Sequence, residues 1–563
     1  MTFHVHLFRF RKRLRMKALI KAVLAGSCLL VAASAQTYGP RDNFTDRWTL
    51  EEAWGMNQTP ELTTELITDW PRGEERTLPG YHIWDSWPVR NLDATVADVD
   101  GYTVFVHLSV PEDVVPGKRH DIAQLRYSYT NDGQNYTLGG LLFPGMHEGV
   151  VEGVVLGSRN WAGSAVVTEE GELYVYYTAT GEAGENVYGS GEGIGSGASA
   201  GSGTVPAEST AQSEDEAAAD AGQDAQNQAI AEGQTEATES TAAQSTGSGT
   251  TSFGSGSVGE PTNTEITYEQ RLAVAYGPKL VADENGVRLE GEWQHDILLE
   301  ADGEWYQTQE QADVGPLNAF RDPWVFRDPN DGNLYMLFEG NVGGANKSEQ
   351  TCAPEDIGST AFQEQLEADG ITIPEEASNY NGNVGLAVSV DGSLTNWELL
   401  PPLLSATCVN QELERPLFVF HDGKYYLFVS SHIGKFAPIG DLQEKGAEGL
   451  YGFVSDTLRG DYQPLNGHGL VLANPEEQPF QAYSFDVVPV GETTSPRLLV
   501  TSFVDYPTTD DIGAVGSYSD NVQLEGFGGT LAPTIELGLN DTEAQIINTL
   551  NFGEIPQENA PTQ

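Results

Sequence analysis

The chain has 563 residues, with 83 acidic and 28 basic side chains, a formal charge of −55 and a pI near 4.2. A surface this acidic repels phosphate backbones and anionic headgroups, which excludes nucleic acid and lipid surfaces as partners. Only nine lysines occur, three of them before residue 22, a balance suited to concentrated salt, where self-repulsion is screened.

The first 35 residues hold seven of the basic side chains and no acid. Arg9, Arg11, Lys12, Arg13, Arg15 and Lys17 precede an apolar stretch, Ala18 to Ala32, broken by Lys21 and followed by Ala33-Ser34-Ala35. A basic region, a short apolar region and an A-x-A site predict a signal peptide over 1–35. The protein is therefore expected to be secreted and extracellular, with a periplasmic stage left open. The apolar run is too short for a comfortable span, so no membrane association is expected of the mature chain. Cleavage removes Cys28 and leaves Cys352 and Cys408, and in an oxidising compartment such a pair is expected to be bridged. Two cysteines without an H-x-x-x-H partner do not make a structural zinc site.

Residues 36–180 and 265–550 read as folded, separated by a stretch over 181–264 of Gly, Ser, Ala, Thr, Gln and acids. No Lys or Arg occurs between Arg159 and Arg271, and a segment with so little apolar surface is expected to stay disordered. Its glycines lack a Gly-Lys-Ser and a preceding strand pattern, which argues against a phosphate loop. Residues 551–563 read as a tail. In the folded parts, strand-like runs recur at Gly101–Val110, Gly171–Thr178, Asp331–Gly340, Asp422–Ser431 and Arg497–Val504. Once the insertion is discounted, their starts fall about 70–90 residues apart, which predicts an all-β, five-bladed β-propeller. Phe362–Ala368 is one of few candidate helical turns.

Three motifs set carboxylates beside groups that fix or polarise them: Trp84-Asp85-Ser86-Trp87-Pro88, Arg321-Asp322-Pro323 and Glu412-Leu413-Glu414-Arg415. Each is expected near the start of a strand, where blades of a propeller can converge on a central channel. Trp84 and Trp87 flank Asp85 as an apolar platform for a sugar. Three acids in one pocket suit glycosyl transfer, with one attacking, one protonating the leaving oxygen and one holding ring hydroxyls.

In order and spacing, these motifs resemble those of the levansucrase and inulosucrase family (glycoside hydrolase family 68), and the chain looks closest to its Gram-negative levansucrases. The resemblance implies a five-bladed propeller with a funnel-shaped central pocket that acts on sucrose and fructan acceptors, without a cofactor. It implies Asp85 as nucleophile, Glu414 as acid/base and Asp322 as stabiliser of the developing oxocarbenium ion. Trp84, Trp161, Arg321, Glu412 and Tyr483 match sugar-binding positions, Ser164, Arg415 and His432 are assigned with them, and Glu339 matches a carboxylate behind the site. Gln411 stands where Gram-positive members carry a calcium-binding Asp. Cys352 and Cys408 resemble the disulfide that replaces the ion in some Gram-negative members, so no metal is expected. Ala162 replaces a common Ser, removing one possible partner of the nucleophile. His432 replaces an Arg common in Gram-positive members and is expected to titrate near neutrality.

Three functions are compatible with this reading: a monomeric levansucrase, a mainly hydrolytic β-fructofuranosidase or inulosucrase with the same residues, and a sugar-binding propeller without catalysis. The presence of both Asp85 and Glu414 disfavours the last.

Overall fold

Each of the five strand-like runs is a strand, and each pairs antiparallel with a strand immediately before it in sequence. Tyr81–Arg90 pairs with Thr103–Pro111, Arg159–Val167 with Glu172–Thr180, and Phe320–Arg327 with Leu334–Asn341. Glu414–His421 pairs with Lys424–Ser431, and Ala482–Val490 with Arg497–Val504. The computed structural model describes residues 38–143, 159–181, 268–312, 318–491, 496–509 and 518–556, with 150, 151, 154, 155 and 515. The expected signal peptide and insertion lie outside the described residues, apart from Gly181 at the insertion's start, as does most of the expected tail.

Further antiparallel strands extend each pair outward. One nine-stranded sheet contains two such stacks, joined by a short parallel register of Val89 with Ala165 and Arg90 with Val166. Three other stacks form five-stranded sheets. The first strands of the five pairs touch in a closed circuit: Tyr81–Arg90 meets Arg159–Val167, then Phe320–Arg327, Glu414–His421 and Ala482–Val490 follow, and the last returns to Tyr81–Arg90. Their side chains are almost all buried, which accounts for the continuous apolar and aromatic character of these strands.

The first two motifs lie within first strands, at or near their starts. The third runs into one, with Glu412 and Leu413 just before the strand and Glu414 and Arg415 at its start. Every first strand carries a bulge near its start. The ladder slips at Trp84/Ser86, Trp161/Gly163, Arg321/Trp324, Glu414/Leu417 and Tyr483/Asp486. At four of these slips a residue other than glycine has left-handed backbone: Asp85 (φ 38°), Asp322 (62°), Arg415 (50°) and Ser484 (59°). Such conformations cost on the order of 1–3 kcal/mol each and persist only where surrounding packing imposes them. A bulge re-aims a side chain that strict alternation would send to the other face. At the fifth slip the chain needs Gly163, because a Cβ there would lie 2.1 Å from the Tyr176 carbonyl oxygen.

Helices are short and peripheral. Thr360–Asp369 begins at Ser359, whose hydroxyl accepts the Phe362 N–H at 3.2 Å, and ends at Gly370 with φ 75°, an N-cap and a left-handed C-cap. Cys352 and Cys408 form a disulfide, with Cα atoms 5.8 Å apart. No helix among the described residues is long and apolar enough to cross a membrane.

Candidate active site

The bulged starts of the first strands, and the ends of the second strands that return beside them, line one cleft. Asp85, Asp322 and Glu414 all line it, although they come from three separate strands. Trp84, Trp161, Arg321, Arg415, His432 and Tyr483 line it as well. The carboxylates are near enough to repel one another: burial, then the charges of Glu414 and Asp85, raises Asp322 to about 7 against the pull of Arg321. Burial also raises Asp85, opposed by the Arg415 charge and by a hydrogen bond from Ser484.

Each acid is held differently. Asp322 accepts the Arg415 backbone N–H at 3.1 Å, and its own N–H donates to Thr178 Oγ1 at 3.0 Å. Glu414 accepts from Arg321 at 2.8 Å through Oε1 and from the Tyr483 hydroxyl through Oε2. Arg415 donates to Ser484 Oγ at 2.6 Å and to the Ser86 carbonyl at 3.1 Å. It also pairs with buried Asp486, which Arg90 holds from the other side. Ser484, on the strand next to that of Asp85 in the circuit, thus offers Asp85 a hydroxyl in a chain where Ala162 supplies none.

Two residues assigned to sugar binding, Glu412 and Ser164, do not line the cleft, and neither does Glu339, expected behind it. Glu412 is buried behind Arg321, 2.8 Å from Lys435 Nζ. Its burial is outweighed by the charges of Lys435, His432 and Arg321, which hold its carboxyl down at about 2. Glu339 is fully buried, with the Arg321 guanidinium 2.8 Å away, in keeping with a place behind the site. Ser164 points into the interior, its hydroxyl without a hydrogen-bond partner among the described residues. Trp87 is buried too, with the Arg415 guanidinium 5.5 Å over its ring. Only Trp84 of the two expected platform indoles lines the cleft. With the bulge at Asp85 the two pair with Leu108 and Val106 on one face of the sheet, and Trp87 lies further along the strand.

His432 departs from the expected near-neutral titration. Burial lowers its pKa, but the charge and hydrogen bond of Glu448 raise it to about 9. Its ring stacks on Tyr483 at 3.7 Å between centroids, and Nε2 lies 3.9 Å from Glu414. Glu412, Glu414 and His432 offer ligand atoms within 4.8 Å of one another, and Arg321 and Lys435 already supply positive charge there. Gln411 accepts the Asn381 backbone N–H through its side chain.

Sequence reasoning missed Arg119, His120, Phe503 and Asp505, all on the cleft wall. The Trp161 indole N–H donates to the His120 carbonyl at 2.9 Å, and the His120 ring meets Trp84 edge-on at 5.7 Å. Asp505 directly follows the strand Arg497–Val504, just as His432 follows Lys424–Ser431. The position after a second strand was the available signal.

Buried carboxylates that share one cleft with indole walls mark a carbohydrate-active enzyme. Residues 38–198 and 233–556 match the levansucrase/invertase family, glycoside hydrolase family 68. The chain belongs to that family and is a levansucrase-like enzyme. The levansucrase of Rahnella aquatilis is 32% identical over 537 residues, covering 90% of this chain and 96% of that protein. An extracellular sucrase of Zymomonas mobilis is 28% identical over 516 residues, 91% of this chain and 95% of that one. Among solved structures, an inulosucrase from Halalkalicoccus jeotgali bound to kestose superposes with a TM-score of 0.67 at 37% identity, over 92% of this chain and 99% of that one.

Proposed function

We propose that the protein is a secreted levansucrase that moves fructose from sucrose to a growing β-(2,6)-fructan, to short oligosaccharides or to water. The observation that carries this reading is the meeting of Asp85 and Glu414 in one cleft, with Asp322 beside them. Asp85 attacks the anomeric carbon and forms a fructosyl-enzyme, while Glu414 gives its proton to the departing glucose oxygen. Glu414 then takes the proton of the incoming hydroxyl as the ester breaks with net retention. Asp322 holds fructosyl hydroxyls as positive charge develops. Arg321 ties Glu414, Glu339 and Glu412 into one framework, which fixes the acid/base before substrate arrives. The five-bladed reading of the fold is supported by five antiparallel stacks whose first strands touch in a closed circuit.

A second reading, inulosucrase, is favoured by the 37% identity to the Halalkalicoccus jeotgali enzyme. The acids are the same in both, and the acceptor's approach decides the linkage. Incubation with sucrose tests the assignment. Glucose released in excess of free fructose supports transfer, equal amounts mean hydrolysis, and release of neither removes the enzymatic reading. Linkage analysis of the product separates β-(2,6) from β-(2,1) chains.

A further inference from the structure

Asp505 is a fourth carboxylate of the cleft, 5% exposed, with one oxygen buried and lacking a hydrogen-bond partner among the described residues. Its backbone is fixed on both sides, the N–H donating to the Gln481 carbonyl at 3.0 Å and the carbonyl accepting from Gly528 at 2.7 Å. The side chain is therefore held in place by groups that leave its carboxylate unsatisfied. A buried acceptor left unmade costs about 1–3 kcal/mol, more when charged, so such a group in a cleft points to a partner that arrives with a ligand.

Arg119, on the same wall, has the complementary defect. Its Nε–H is buried without an acceptor among the described residues, while its Nη1 donates to the Pro116 carbonyl at 3.0 Å. Its guanidinium is stacked 5.1 Å from the Phe527 ring. No Arg119–Asp505 ion pair occurs among the described residues' contacts, although Arg119 is the strongest charge acting on Asp505. An orphan acceptor and an orphan donor on two residues of one cleft wall match a hydroxyl, which both donates and accepts. The other charges acting on Asp505 are those of Glu448, His432 and Asp85, with burial lifting its carboxyl to about 7. Asp505 thus shares the cleft wall with Asp85, close enough to feel its charge.

We infer that Asp505, assisted by Arg119, binds a hydroxyl of the fructosyl ring seated over Asp85, and so helps select the sugar that is transferred. The inference rests on the sucrose-donor reading above. Its test compares wild type, Asp505→Asn and Asp505→Ala with sucrose and with analogues lacking single fructosyl hydroxyls, alongside thermal midpoints of each protein. Asp505→Ala is expected to lower kcat/KM for sucrose roughly 10- to 100-fold, the loss typical of a hydrogen bond to a charged group. Asp505→Asn, equal in size and still an acceptor, keeps part of the activity. One deoxy analogue, poor for wild type, is expected to lose its disadvantage in Asp505→Ala, a pattern that a merely structural role would not produce. Equal relative losses for every analogue, or sucrose kcat/KM within about twofold of wild type, overturn the inference. A wild type that turns over sucrose normally in that case leaves the donor assignment standing, whereas one inert toward sucrose removes both.

Discussion

At the scale of single residues, the proposed mechanism separates groups that react from groups that hold them. Asp85→Ala is expected to abolish sucrose turnover. Glu414→Ala is expected to lose at least the roughly 10²–10⁴-fold contributed by a general acid, read as kcat with unchanged thermal stability. Near-normal kcat in either variant would remove that residue's assignment. His432 adds a pH prediction. Its folded pKa, about 9, lies above the ordinary value of 6.5, so its protonated form is favoured by folding. That contribution is complete below about pH 6.5 and disappears as pH rises through about 9. The stability gap between wild type and His432→Gln should therefore narrow across that window in urea melts, and a gap that widens would reverse the sign. The motifs themselves were legible in the sequence because each packs an acid against Arg, Pro or Trp within a few residues. Asp505 and Arg119 were not, since nothing local distinguishes them from ordinary polar residues after a strand or in a loop.

At the scale of elements, the recurrent device is the bulge near the start of each first strand. Period-two alternation, read from sequence, identified the second strands correctly and overlooked the first, because first strands are buried on both faces and interrupted by Pro323 and Pro416. The bulges turn Asp85, Asp322 and Arg415 out of their regular register, whereas Trp87 stays on the face of Trp84, one pair further along the strand and off the cleft wall. Gly163 is the position where this is most sharply constrained. Gly163→Ala would place a methyl group 2.1 Å from the Tyr176 carbonyl oxygen, with backbone rather than a flexible side chain obliged to move. The expected loss is about 1–3 kcal/mol in urea unfolding, as for other overpacked positions, accompanied by lower kcat because Trp161 and its bond to His120 shift. Unchanged stability would mean that this bulge is slack.

At the scale of the whole molecule, two long-range features govern stability. The Cys352–Cys408 bridge spans 56 residues and is expected to contribute about 4 kcal/mol in the loop-entropy model. Paired Cys352→Ser and Cys408→Ser substitutions should lower the unfolding midpoint, with activity at low temperature retained because neither sulfur lines the cleft. The charge of −55 makes stability salt-dependent: raising salt from about 0.1 M to 1 M shortens the screening length from about 10 Å to 3 Å. The thermal midpoint should rise over that range, and a midpoint that falls would refute self-repulsion as a main limit on stability. By itself, the sequence determined the acidity, the all-strand character, the five similar runs and the three acidic motifs, because composition, alternation and short-range residue chemistry are local properties. Only the tertiary structure decided that Asp85 and Glu414 face one cleft, that Ser484 supplies a hydroxyl partner to Asp85, and that Glu412 and Ser164 sit off its wall. Those relations join residues tens to hundreds of positions apart through strained bulges, and neither the strain nor the distance leaves a mark on neighbouring residues.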